Sequence, residues 1–137
     1  MKKHLNKVKG SSRTDNPLFQ YLGIIVDHIS SEKTIMRLPV KHEFNQDAGV
    51  VAGGILATIA DEAMAHVVLA NLSENQSTAT IEMNIRYLRS IKEGEIRAEG
   101  WIIKKGRRII TVAAEVRDEK NFLLAHAGAS FIIIESK

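Results

Sequence analysis

The chain has no cysteine among its 137 residues. Disulfides, thiolate metal sites and cysteine nucleophiles are therefore excluded, and a cytoplasmic location is compatible with that absence. No internal repeat or low-complexity tract appears. The opening segment Met1 to Gly10 is basic, but no apolar run follows it, so a secretory signal is not expected. The one long apolar stretch, Ile55 to Leu72, carries Asp61, Glu62 and His66 at its centre, which argues against a membrane span. A basic domain face is missing too. Lys2, Lys3, Lys7, Lys9 and Arg13 supply five of the 19 cations, and the remainder of the chain is slightly acidic. Neither nucleic acid nor membrane is expected as a partner.

Several catalytic signatures are incomplete. His42-Glu43 begins like a zinc-protease helix, but Gln46 stands where the second histidine is required. Glu62 and His66 lie one turn apart, and two ligands do not make a metal site. Gly128-Ala129-Ser130-Phe131-Ile132 lacks the closing glycine of a serine-hydrolase elbow, and there is no phosphate loop of the G-x-x-x-x-G-K type. His28 and His126 fall in strand-like runs and read as structural.

What is present is the composition of one globular domain, 45% apolar and 26% charged. Residues 1–15 read as a flexible basic tail and 16–137 as a single domain. Asn16-Pro17 signals a helix start, and Gly23 ends the short apolar segment that follows. Ile24 to His28 and Lys33 to Val40 predict a hairpin around Ser30-Ser31-Glu32, and His42 to Ala52 predicts a loop. A helix is expected from Gly54 to Leu72, apolar nearly all round and so largely surrounded by protein. Strands follow over Thr78 to Leu88, Glu95 to Lys104, Arg108 to Arg117 and Phe122 to Glu135. In the first of these, alternation puts Ile81, Met83, Ile85 and Tyr87 on one face and Thr80, Glu82, Asn84 and Arg86 on the other. Hairpin-linked strands and one long helix make an α+β domain with an antiparallel sheet. The apolar surface left over, including Ile132-Ile133-Ile134, suggests that the chain dimerises.

The chemistry gathers on the long helix. Gly53 and Gly54 precede it, and the first amides of a helix have no internal acceptors and sit at its positive pole, a natural place for an oxyanion. The same glycines would serve a plain strand-to-helix turn. Asp61 and Glu62 stand about 100° apart on the helix surface. Asp61 shares its stripe with Ala57, Thr58, Met64, Ala65 and Val68, and Glu62 shares a more polar one with Thr58 and His66. A carboxylate among apolar neighbours needs hydrogen-bond partners or a function. We take Asp61 as the working acid, with a backbone cap or an ion pair to Arg86 as the alternative.

The run Gly49-Val50-Val51-Ala52-Gly53-Gly54 through Asp61 resembles the signature of hotdog-fold thioesterases of the phenylacetate-pathway (PaaI-like) type. That signature reads N-x-x-G-x-x-H-G-G, then six residues and an aspartate. Thr80 to Arg89 resembles the family's strand after the helix, and Lys104-Lys105-Gly106-Arg107 its basic turn; the similarity spans about residues 40 to 134. The resemblance implies a hotdog fold, a long central helix wrapped by a curved antiparallel sheet, assembled as a homodimer and often a tetramer. It implies hydrolysis of an acyl- or aryl-CoA thioester with no cofactor beyond the CoA of the substrate. The Gly53 amide would polarise the thioester carbonyl, and Asp61 from the partner subunit would activate water or attack directly. Thr80 and Gln46 would position the reactants. Asn45, Gly54, Met64, Arg86, Lys105, Arg107 and Arg108 would bind substrate, with the basic turn on the CoA phosphates. Met64, Val67, Val68 and Tyr87 would line an acyl tunnel.

Two positions depart from the signature. Ala52 replaces the histidine before the glycine pair, and Gln46, with Asn45 beside it, replaces the asparagine. A thiol of pKa about 8.5 leaves readily, so thioester hydrolysis needs little acid help. The departures weigh more heavily against related hydratases, which use that histidine as acid and base. They also leave open a non-catalytic acyl-CoA or fatty-acyl binding module.

Overall fold

The computed structural model describes residues 16–136, so the expected tail 1–15 lies outside the described residues. Helix α1 (Pro17–Leu22) starts as its sequence directs. The Asn16 side chain accepts the amides of Leu18 and Phe19, proline occupies the first turn, and Gly23 closes it at φ 89°. Phe19 and Leu22 are its buried residues. Strands β1 (Ile25–Ile29) and β2 (Lys33–Pro39) then form the expected hairpin. Ser30 Oγ accepts the Glu32 and Lys33 amides in the turn between them.

The long helix, α2, runs Gly53–Leu69. It ends short of Leu72, where Asn71 Nδ2 donates to the Val67 carbonyl at 2.8 Å, an acceptor a further turn would use, and to that of Ser31 in the β1–β2 turn at 2.9 Å. Four strands follow: β3 (Gln76–Tyr87), β4 (Glu95–Lys105), β5 (Ile109–Arg117) and β6 (Leu123–Glu135). They join the hairpin in one six-stranded sheet of order β1-β2-β4-β5-β6-β3, antiparallel at every pairing. Helix α2 touches β2, β3, β4, β5 and β6, so the sheet curves around it. This is the α+β helix-in-sheet architecture expected.

One expectation on β3 is corrected. Strict alternation would set Thr80 opposite Ile81 and Met83, but the register slips between Thr80 and Glu82. Thr80 pairs with the buried Phe131, and Met83 pairs with the buried Ala129, so Thr80 joins the helix-facing side. Ile81 is the inserted residue, 52% exposed.

The core lies between α2 and the sheet, and the helix backbone comes close to the sheet at Ala63. A Cβ on Gly100 of β4 would stand 2.8 Å from the Ala63 carbonyl oxygen and 3.1 Å from the Met64 nitrogen. From β2, the buried Thr34 hydroxyl donates to that same oxygen at 2.5 Å. Gly100→Ala is therefore expected to destabilise the fold by about 1–3 kcal/mol, because helix backbone must move to admit a methyl group. Urea denaturation checks this; an unchanged midpoint would show that the contact is not limiting.

Candidate active site

The loop before α2 is held from both sides. The Gln46 amide donates to the Val50 carbonyl at 2.8 Å and the Gly49 amide to that of Gln46 at 2.8 Å, with Gly49 at φ 79° closing the turn. The Ala52 amide donates to Phe44 at 2.9 Å and the Val51 amide to Ile91 at 2.8 Å. Asn45 is bridged to Val51, and its side-chain nitrogen reaches the Lys92 carbonyl at 3.5 Å. Ala52 is the N-cap of α2 and supplies no side-chain cap. The amides of Gly53 and Gly54 find no backbone acceptor among the described residues.

The two glycines do different things, and neither adopts positive φ. The demand of a plain turn therefore does not explain them. A Cβ on Gly53 would lie 3.1 Å from Tyr87 Cζ and 3.4 Å from its hydroxyl oxygen, so glycine admits the tyrosine ring against the helix start. A Cβ on Gly54 would meet nothing within 4 Å, so the space above that residue is open.

Asp61 follows eight residues later, about 12 Å along the axis from Gly53. Its neighbours on the outward stripe, Ala57, Thr58 and Ala65, are all partly exposed. The Thr80 hydroxyl, brought inward by the bulge, donates to Asp61 Oδ1 at 3.4 Å. Burial raises the Asp61 pKa, and the Thr80 bond opposes the rise. Glu62 is pushed further, to about 7, first by burial and then by the charge of Asp61. The sequence pattern places Glu62 beside Asp61 in a polar strip or a subunit contact. The signal for its perturbation was its place next to Asp61 on an apolar helix. His66 is buried against the Phe19 ring, with Nδ1 2.8 Å from the Glu62 carbonyl.

The remaining predicted residues scatter. Arg86 pairs in register with the exposed His126 and so stands on the sheet face opposite Asp61. Thr80, not Arg86, is the partner of the acid. Met64 is 0% exposed, as are Val67 and Val68. The helix turns all three into the core, so they line no open tunnel in one chain. Tyr87 alone of that set is open, at 51% exposure. Gln46 is exposed beside the helix start, and Asn45 is half-buried there. Lys104, Arg107 and Arg108 border an open cleft of about 610 Å³ at the β4–β5 turn. Lys105 in that turn donates to the Asn71 carbonyl at 3.1 Å, just past the C-terminal end of α2. Within one chain the basic turn and the glycine pair thus occupy opposite ends of the helix. Among the described residues, no group of three or more His, Asp or Glu side chains could hold a metal ion. No helix among them is long and apolar enough to cross a membrane.

A long helix wrapped by a curved antiparallel sheet is the hotdog architecture. The thioesterase superfamily matches residues 48–125, more than half of the chain, and the chain belongs to that family. A Saccharolobus solfataricus protein described as a candidate esterase is 28% identical over 120 residues, covering 88% of this chain and 85% of that one. Among solved structures, a Haemophilus influenzae thioesterase superposes with TM-score 0.85 at 23% identity, over 97% of this chain and 90% of that one. A Ralstonia eutropha protein described as related to phenylacetic acid degradation gives TM-score 0.85 at 22% identity, over 93% and 97%. The family expected from the glycine–aspartate run is the family found.

The raised acids carry a stability consequence. Between about pH 4.5, the ordinary glutamate value, and about 7, folded Glu62 keeps a proton that the unfolded chain has lost. The folded state binds more protons in that window, so stability falls as pH rises through it. Glu62→Gln should therefore gain stability relative to the parent on going from about pH 5 to about pH 8. Denaturant midpoints at the two pH values test this, and a constant difference would contradict it.

Proposed function

We propose that this chain hydrolyses an acyl- or aryl-CoA thioester to the free acid and CoA, with Asp61 as base or nucleophile and Gly53 as oxyanion donor. The observation that carries the reading is the pairing, on one helix, of open first-turn amides with a half-buried acid whose pKa is raised. The carbonyl oxygen would accept from the Gly53 amide at the positive end of α2. Asp61 would take a proton from water as it attacks the carbonyl carbon, and the thiolate would leave. A base with a raised pKa is better matched to neutral pH than an ordinary aspartate.

The 12 Å or so between Gly53 and Asp61 is too far for both to act on one carbonyl. Asp61 of the partner subunit would therefore face the glycine pair of the first. The long strand β3, paired on one side only among the described residues, supports a homodimer, because an unpaired edge invites another chain. Higher assembly to a tetramer belongs to the same proposal. Thr80 would steady Asp61, and Gln46 and Asn45 would orient the thioester beside the helix start. Lys105, Arg107 and Arg108 would meet the CoA phosphates from a neighbouring copy. An aryl-CoA is the first class to try, given the description of the Ralstonia eutropha neighbour.

Ala52 favours a second reading, an acyl-CoA binding module without turnover. Thiol release from phenylacetyl-, benzoyl-, hexanoyl- and palmitoyl-CoA separates the two. We expect release from at least one ester and a loss of about 10²–10⁴-fold in Asp61→Asn. Release unaffected by that substitution would overturn the mechanism, and tight binding without release would establish the binding module.

A further inference from the structure

We propose that the Tyr87 hydroxyl is the second oxyanion donor of this site, filling the role that Ala52 leaves without a polar side chain. The inference rests on the thioesterase reading above and assigns a residue that neither the glycine–aspartate run nor the relatives point to.

Three observations carry it. The Tyr87 ring stands over the first helical residue, with Cζ 3.1 Å and the hydroxyl oxygen 3.4 Å from where a Gly53 Cβ would be. By bond geometry, a residue's Cβ position lies about 2.5 Å from its own nitrogen. The Tyr87 oxygen is therefore within about 6 Å of the Gly53 nitrogen, a span that one oxygen bridges when each donor reaches it at about 2.9 Å. Second, the hydroxyl has no hydrogen-bond partner among the described residues, and Tyr87 is 51% exposed, so its proton is free to meet a ligand. Third, the strand fixes the ring on this side. Tyr87 is in register with the buried Ala125, and the next amide, Leu88, donates to the Leu124 carbonyl at 2.8 Å. Packing alone does not need the hydroxyl, since phenylalanine would fill the same space.

The step balances without a further reactant. Water oxygen bonds to the carbonyl carbon, its proton passes to the Asp61 carboxylate, and the carbonyl π pair moves onto oxygen. The Gly53 N–H and the Tyr87 O–H both donate to that oxyanion. Collapse re-forms the C=O bond and breaks the C–S bond, and the thiolate leaves with the proton held by Asp61 returned to it or to solvent.

The test measures kcat and KM of the full chain on phenylacetyl-CoA and hexanoyl-CoA for the parent, Tyr87→Phe and Asp61→Asn, with thermal melts alongside. Loss of one oxyanion donor is expected to lower kcat about 10²–10³-fold, with KM within about threefold and the melting temperature held. If the parent turns over and Asp61→Asn does not, yet Tyr87→Phe keeps kcat within about threefold, the assignment to Tyr87 fails while the thioesterase reading stands. A rise in KM at unchanged kcat overturns it likewise, since that marks a residue that only binds the acyl group. A folded parent with no turnover on any ester overturns both.

Discussion

The contact of helix α2 with the sheet at Ala63 sets the geometry of everything else in the molecule. The Ala63 carbonyl accepts the Thr34 hydroxyl at 2.5 Å, and Gly100 offers no Cβ to hold the helix away. A helix pinned at one residue is fixed in rotation as well as position. At about 100° per residue, Asp61 lies some 200° from Ala63 and so points away from β4, toward Thr80 at the β3 edge, while Glu62 lies on the flank. The same pin sets the axial position. Gly53 lies ten residues toward the N-terminus, about 15 Å away, and there it meets the Tyr87 ring from β3. A slide of one turn would part the glycine from the tyrosine and the aspartate from Thr80 together.

The electrostatics follow from that placement. All three ion pairs among the described residues, Arg37 with Asp27 and Glu95 and Arg117 with Glu115, join strand side chains. Among the described residues no cation pairs with Asp61 or Glu62, and both are desolvated, so both hold their protons more tightly than ordinary carboxyls. Two adjacent acids in that setting cost stability, as buried charge without a counter-ion must. Structural need does not explain them. The catalysis proposed for Asp61 would, because a carboxyl with a raised pKa can both take a proton and return it.

Much of the fold was legible in the sequence because its signals are local. Asn16-Pro17 and Gly23 bound α1, the Ser30 turn closes the first hairpin, and the long, mainly apolar run from Ile55 reads as a helix against a sheet. The glycine–aspartate spacing, with the strand and basic turn after it, carried the resemblance to the family despite the departures at Ala52 and Gln46. Two features were not local and so were not legible. The β3 bulge depends on pairing with β6, and it alone puts Thr80 beside Asp61 rather than Arg86. The rotation of α2 depends on Thr34 and Gly100, residues with no periodicity to announce them, and it sends Met64 into the core. The helix C-terminus was overextended for a similar reason, since Asn71 at that end reaches across to Ser31 in another turn.

The open side of α2 makes a single chain look unfinished. Ile55, Ala65 and Leu69 are apolar and only partly buried, and Ile81 and Tyr87 stand exposed along the unpaired edge of β3. That strand is long and ends beside the helix start, so a chain added to its free edge would approach the glycine pair. The proposed dimer would cover the apolar edge and bring a second Asp61 toward the first Gly53 in the same step. Burial in such an interface would desolvate the two acids further and raise their pKa values beyond those of the lone chain. Association and activation of the base are then one event, and the apolar surface left by a single curved sheet becomes the means by which the catalytic groups meet.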